Sequence, residues 1–136
     1  FYVGPKMNEE SARFESERVG DFNATICGDG QDVKSGYAVT VNSPDGGIRL
    51  YRNGQQVAAN ESYELFRATG DQVLDFFRGH NRWYNVRVER VGSTVSVVIE
   101  NQTVLTWSDP APLPAGRVAI WTHANGIMLP RIGLYL

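Results

Sequence analysis

The chain has 136 residues, which is enough for one domain with a substantial core, and no linker divides it. Its 13 Lys and Arg residues against 15 Asp and Glu give a net charge of −2. Because no basic run or membrane-length apolar run occurs, the sequence favours neither nucleic acid nor membrane insertion.

The first half of the chain predicts short strands joined by glycine-rich turns. Ser11 to Arg18 alternates as a strand, and the alternative is an amphipathic helix from Asn8 to Val19. The strand is favoured because the helix would scatter its apolar residues around the axis. Gly20–Cys27 and Gly36–Asn42 are predicted to pair across a turn. Ile48–Arg52 and Gln55–Ala58 flank Asn53-Gly54, the dipeptide that favours a type I′ hairpin. Two further short candidates, for strand or irregular connection, are Tyr63–Phe66 and Val73–Phe77.

The second half predicts a meander of three adjacent antiparallel strands, Arg82–Val91, Thr94–Glu100 and Thr103–Trp107, with a turn at Asn101-Gln102 between the last two. Three prolines in Asp109–Gly116 exclude a strand there and predict an ordered crossing loop. The last predicted strands are Arg117–His123 and Ile127–Leu136. About ten strands without a convincing helix indicate one all-β domain, a two-sheet antiparallel sandwich.

The alternation also predicts which side chains fill the core. The residues that share the inward face of these strands are Val86, Val88, Val95, Val97, Ile99, Val118 and Ile120. Trp121 and His123 lie on the opposite face of their strand and are expected to point to a ligand or to solvent. The alternative is that Trp121 belongs to the core of a second layer.

A pattern in the second half resembles the concanavalin A-like lectin/glucanase superfamily, most closely its laminin-G-like and 3-keto-disaccharide-hydrolase-like branches. It consists of Trp83-x-x-Val86-x-Val88-x-Arg90, a glycine turn, Val95-x-Val97-x-Ile99, Asp109-Pro110-x-Pro112-Leu113-x-x-Gly116 and Val118-x-Ile120-Trp121. The resemblance implies a jelly roll with a concave face that often binds glycans, and in some members a calcium ion. The chain is short for the superfamily, so we expect further strands in a longer parent protein.

Two departures from the superfamily affect the functional interpretation. The Glu-x-Asp-x-x-Glu motif of the glucanase branch is absent. Many relatives carry Asp or Asn after an aromatic residue in the last strand, whereas this chain has Leu129-Pro130-Arg131. Asp29 and Asp32 could offer oxygens to calcium, but two carboxylates fall far short of a full ligand set, so no cofactor is predicted.

The candidate ligand-binding residues combine aromatic rings with polar groups near strand ends. Sugar rings need a flat aromatic surface together with groups that take their hydroxyls. The candidates are Trp121, His123, Trp107, Arg78, His80, Trp83 and Tyr51.

The favoured function is a non-catalytic carbohydrate-binding module of a larger, secreted or periplasmic, carbohydrate-active protein. Its expected partners are a glycan or polysaccharide and other domains of that protein. The first alternative is an enzyme of the 3-keto-disaccharide hydrolase kind, for which His80, His123, Glu15 and Glu17 are the residues to test. The second alternative is a structural jelly roll that binds other proteins.

Overall fold

The computed structural model describes residues 2–3, 21–42, 46–65, 83–123 and 127–135. These residues form ten strands and no helix, and accordingly none of them lies in a helix that could cross a membrane. The strands are β1 (Tyr2–Val3), β2 (Phe22–Gly28), β3 (Tyr37–Val41), β4 (Ile48–Arg52), β5 (Gln55–Asn60), β6 (Val86–Val91), β7 (Thr94–Ile99), β8 (Gln102–Ser108), β9 (Arg117–Trp121) and β10 (Ile127–Met128).

The larger sheet has five antiparallel strands in the order β5-β4-β3-β2-β9. The predicted hairpin between β4 and β5 is present, and both of its turn residues, Asn53 and Gly54, have the positive φ that a type I′ turn requires. Strand β2 pairs with β3 as predicted and also with β9, which returns from the far end of the chain.

The smaller sheet has three antiparallel strands in the order β6-β7-β8, which confirms the predicted meander. Gly92 makes the first turn with a φ of 60°. The second turn is centred on Glu100 and Asn101, with φ of 50° and 63°, rather than on the expected Asn101-Gln102. The predicted turn lies one residue too far along the chain. Glutamate is uncommon at positive φ, so the sequence did not indicate Glu100 as the first turn residue.

The two sheets contribute to one hydrophobic core, so the architecture is sandwich-like. The larger sheet supplies its inward residues from β2, β3 and β4, and all five residues of β3 are buried. The smaller sheet supplies Val95, Val97, Ile99 and Leu105. Val95, Val97 and Ile99 were predicted as core and are buried in it. Val86, Val88 and Ile120 were also predicted as core, but they are only partly buried and pack against it.

Val118 was predicted as core, and this prediction is wrong. The residue is 46% exposed. It shares the inward parity of Ile120, but the register between β2 and β9 shifts between Thr25 and Gly28, opposite Val118. At this bulge Cys27 adopts a φ of 57°. Alternation assigns a face to Val118, but the bulge lies at the end of the paired region, where that face is open to solvent.

The last predicted strand also needs correction. Strand β10 covers only Ile127 and Met128, which pair with β1. Pro130 lacks an amide proton and follows directly, so the predicted strand to Leu136 does not form within the described residues. The candidate Tyr63–Phe66 was predicted as a strand or an irregular connection, and its described residues 63–65 form an irregular connection. The strand predicted at Ser11–Arg18 and the strand or irregular connection predicted at Val73–Phe77 lie outside the described residues.

The proline-rich loop crosses from β8 of the smaller sheet to β9 of the larger one, and it is ordered as predicted. Asp109, 1% exposed, accepts hydrogen bonds from the Tyr37 hydroxyl at 2.6 Å and from Arg52 Nε at 2.7 Å. The loop amide of Leu113 donates to the Tyr37 hydroxyl at 2.9 Å, and Arg52 Nη2 donates to the Ala111 carbonyl at 2.8 Å. These contacts join the loop to the larger sheet.

Candidate functional site

The larger sheet carries polar side chains on the face that points away from the core, which we call the polar face. Cross-strand register places Trp121, Asn23, Thr40 and Arg49 side by side on β9, β2, β3 and β4. The adjacent row on these strands contains Ala119, Thr25, Ala38 and Tyr51. The polar face follows from alternation, because each member lies next to an inward core residue in its strand.

The polar residues at the centre of this face are buried rather than solvated. Asn23 is 0% exposed, Thr25 2% and Thr40 7%. Within the described residues, Asn23 Oδ1 and Thr40 Oγ1 are buried without a hydrogen-bond partner. The two residues are directly opposite each other in the β2–β3 ladder, a position in which side chains are close neighbours. Buried polar groups in folded proteins are almost always paired, so two adjacent exceptions mark a place suited to a further partner.

The remaining polar groups around this pair are engaged. Thr25 Oγ1 donates to the Val33 carbonyl and accepts from Trp121 Nε1 at 3.3 Å. Asp21, just before β2, accepts from Asn23 Nδ2 at 2.5 Å. Both oxygens of Asp21 also accept from the His123 backbone amide at 3.1 Å. These bonds hold the indole ring of Trp121 and the Asn23 amide in defined orientations.

The structure brings only part of the predicted ligand-binding set to the polar face. Trp121 and Tyr51 lie on it, both partly buried. His123 is exposed just beyond the end of β9 and contributes its backbone amide to Asp21. Trp107 packs against the core, with its ring centroid 6.4 Å from that of Tyr37 in an edge-to-face arrangement. Trp83, 51% exposed, precedes β6 of the other sheet.

The other candidate residues cannot be placed on this face. Arg78 and His80, like Glu15 and Glu17 of the enzyme alternative, lie outside the described residues. No group of three or more His, Cys, Asp or Glu side chains that could hold a metal ion occurs in the described part of the chain.

Asp29 and Asp32, the calcium candidates, organise their own turn. Asp29 Oδ1 accepts from the backbone amides of Gln31 and Asp32 at 2.8 and 3.0 Å and from the Ser35 hydroxyl at 2.8 Å. These donors, the Gln31 amide first, hold the pKa of Asp29 below its ordinary value. Asp32 Oδ1 accepts from the Lys34 amide at 2.9 Å. The carboxylates therefore fit a hydrogen-bonded turn better than a calcium site.

The residues that sequence reasoning missed are Asn23 and Thr40. Their signal was present, since Asn23 and Thr25 alternate with Phe22, Ala24 and Ile26 in one predicted strand. Alternating polar residues are normally solvated, so the pattern itself did not distinguish a buried polar face from an ordinary outer face.

Comparisons with protein-family models, with curated proteins and with solved structures found no match to this chain. Its functional interpretation therefore depends on the geometry of the polar face and on the sequence resemblance.

Proposed function

We propose that the chain is a non-catalytic carbohydrate-binding module whose polar face receives the sugar, and that its two sheets form a jelly roll of the concanavalin A-like kind. The observation that carries the proposal is the pair of buried, unpartnered polar atoms, Asn23 Oδ1 and Thr40 Oγ1, in one row with an aromatic ring and a guanidinium. A glycan offers the hydroxyls and the apolar ring faces that such a combination recognises.

Aromatic side chains border this pair on two sides. Trp121 lies beside Asn23 on β9, and Tyr51 lies in the adjacent row on β4. The hydrogen bond from Trp121 Nε1 to Thr25 holds the indole, so little side-chain entropy would be lost when a pyranose packs against it.

The hydrogen bonds of Asp21 fit a binding module better than a glycoside hydrolase. A glycoside hydrolase needs two carboxyl groups on opposite sides of the scissile bond. Among the described residues, Asp21 is the carboxylate that adjoins the polar face, and both of its oxygens accept hydrogen bonds from the chain itself. Such a module would act in a secreted or periplasmic protein beside other domains that handle the polysaccharide.

The proposal is tested by screening the purified chain on a glycan array and then titrating the best oligosaccharide by calorimetry. We expect Trp121→Ala and Tyr51→Ala each to weaken binding by about tenfold or more while the chain remains folded. Trp83→Ala is the matched control, because it removes an exposed ring that precedes β6 of the other sheet, and it should leave affinity unchanged. Loss of binding in the control, with retention in the other two variants, would place the site elsewhere.

A further inference from the structure

The sequence contains three Asn-x-Ser/Thr sequons, the motif that accepts an N-linked glycan in a secretory pathway. They are Asn23-Ala24-Thr25, Asn60-Glu61-Ser62 and Asn101-Gln102-Thr103. All three lie in the described part of the chain, so the surroundings of each asparagine amide can be compared. A glycan is bulky and hydrophilic, so the folded domain can carry it only where the amide nitrogen faces water.

The first sequon is closed by the fold. Asn23 is 0% exposed on β2, and its Nδ2 donates to Asp21 Oδ2 at 2.5 Å. Thr25, which supplies the hydroxyl of this sequon, is 2% exposed and donates to the Val33 carbonyl. Because protein interiors are close-packed, a glycan on Asn23 could not be accommodated there without displacing β2 from its neighbours.

The second sequon is engaged between the two sheets. Asn60, the last residue of β5, is partly buried, and its Nδ2 donates to the Val104 carbonyl of β8 at 2.9 Å. Its Oδ1 accepts from the Ser62 hydroxyl at 3.1 Å. A glycan on Nδ2 would replace one of its two protons and crowd the bond that joins β5 of the larger sheet to β8 of the smaller one.

The third sequon lies on an open turn. Glu100 and Asn101 form the two-residue turn between β7 and β8, and Asn101 has a φ of 63°, which asparagine tolerates better than most residues. Asn101, Gln102 and Thr103 are all exposed. The other side of the turn is fixed, because Glu100 donates its amide to the Asn85 carbonyl at 3.0 Å and accepts from the Asn85 amide at 2.6 Å. The turn therefore presents the Asn101 amide to solvent from a held backbone.

We propose that Asn101 is the acceptor of an N-linked glycan and that the folded domain excludes the other two sequons. The donor is a lipid-linked oligosaccharide pyrophosphate, and the enzyme is the oligosaccharyltransferase of a secretory pathway. Asn101 Nδ2 attacks the anomeric carbon, a C–N bond replaces the bond from that carbon to the pyrophosphate, the lipid pyrophosphate leaves, and a base of the transferase takes the amide proton. The attachment requires that the chain is secreted, but it does not require the polar face, since Asn101 belongs to the smaller sheet.

The transferase acts as the chain enters the secretory compartment, so the folded product reports which sites the fold accepts. The test therefore secretes the full chain from a eukaryotic cell behind a cleavable signal peptide and purifies the folded protein. Peptide-N-glycosidase then converts each glycosylated asparagine to aspartate, and mass spectrometry maps the converted positions. We expect conversion at Asn101 and none at Asn23 or Asn60.

Two matched variants assign the glycan. Thr103→Val keeps the β-branched shape at an exposed position of β8 and removes the hydroxyl that the sequon needs, so we expect it to lose the whole glycan mass. Ser62→Ala removes the corresponding hydroxyl of the Asn60 sequon and should leave the glycan mass unchanged. If Thr103→Val is not secreted, Asn101→Asp takes its place, because aspartate also tolerates a positive φ.

The outcomes separate this assignment from the proposed sugar site. An unmodified Asn101 in the secreted wild type, conversion at Asn23 or Asn60, or loss of glycan mass in Ser62→Ala would each overturn the assignment. None of these results changes the proposed function, because the array and the calorimetry measure binding at the larger sheet. Failure of the chain to bind any glycan would likewise leave the assignment of Asn101 standing.

Discussion

Val97 and Val118 carry the same side chain on the inward parity of their strands but differ in burial. Val97 is fully buried at the centre of the smaller sheet, whereas Val118 is 46% exposed on β9. A valine methyl group stabilises the fold only when it leaves water and meets close-packed neighbours. The alternation along a strand determines on which face of the sheet a side chain lies. The position of the residue within the sheet determines how deeply that side chain is buried.

We expect Val97→Ala to lower the free energy of unfolding by about 1 to 3 kcal/mol, scaled down from larger aliphatic truncations. Val118→Ala, the matched control, should lower it by less than about 1 kcal/mol, because nearly half of the residue's surface is already exposed to water. Urea unfolding of both variants measures the difference. Equal losses would show that the bulge at Cys27 does not limit the burial of Val118.

At the scale of elements, the turn that brings β2 back as β3 depends on glycine. Gly36 has a φ of 70°, and its amide donates to Asn53 Oδ1 at 3.0 Å. A Cβ atom at this position would lie 2.5 Å from the Ile26 carbonyl oxygen and 2.6 Å from the Cys27 carbonyl carbon. The close approach fits the bulge of β2, whose backbone runs directly against Gly36.

Gly36→Ala should therefore destabilise the fold much more than a glycine-to-alanine substitution whose only cost is the positive φ. Gly54→Ala is the matched control, because Gly54 has a φ of 81° and a Cβ there would meet nothing within 4 Å. We expect a loss of about 1 to 2 kcal/mol in the control, the left-handed cost of an alanine, and a clearly larger loss in Gly36→Ala. Thermal unfolding followed by circular dichroism compares them, and similar midpoints would contradict the close approach.

Most strands of this fold could be predicted from the sequence because alternation and turn chemistry act locally. Asn53-Gly54 specified the hairpin between β4 and β5. The last strand ends at Met128, shortly before Pro130, although the apolar residues around this proline favoured a longer strand. The polar face could not be predicted, since it joins Trp121 to Asn23, residues far apart in the chain. The ladder that joins their strands also contains the bulge at Cys27, a cysteine whose positive φ no local sequence pattern predicts.

At the scale of the whole molecule, Asp109 links the two sheets. It directly follows β8 of the smaller sheet, and its partners Tyr37 and Arg52 belong to β3 and β4 of the larger one. Burial alone would raise the pKa of Asp109, but the hydrogen bonds from Tyr37, Arg52 and the Ala111 amide outweigh it and hold the pKa below its ordinary value of 3.8. Burial, and then the bond to Asp109, raise the pKa of Tyr37.

The lowered pKa of Asp109 makes the link between the sheets sensitive to acid. The unfolded chain binds the proton more readily than the folded one, so the stabilisation is fully present above the ordinary pKa of 3.8 and is lost as the pH falls through the lower, folded value. Asp29 has a lowered pKa too, so acid should weaken the wild type through both carboxylates.

Asp109→Asn isolates the contribution of the link. We expect this variant to be less stable than the wild type at pH 7, because the amide leaves Arg52 without its charged acceptor. The gap in unfolding free energy should narrow as the pH falls below 3.8, because protonation removes the same charge from the wild type. Urea titrations at neutral pH and at several values below pH 4 measure the gap, and Asp29→Asn is titrated beside it to give the separate contribution of the second carboxylate whose pKa is lowered. A gap that stays constant across this range would mean that the charge of Asp109 does not hold the sheets together.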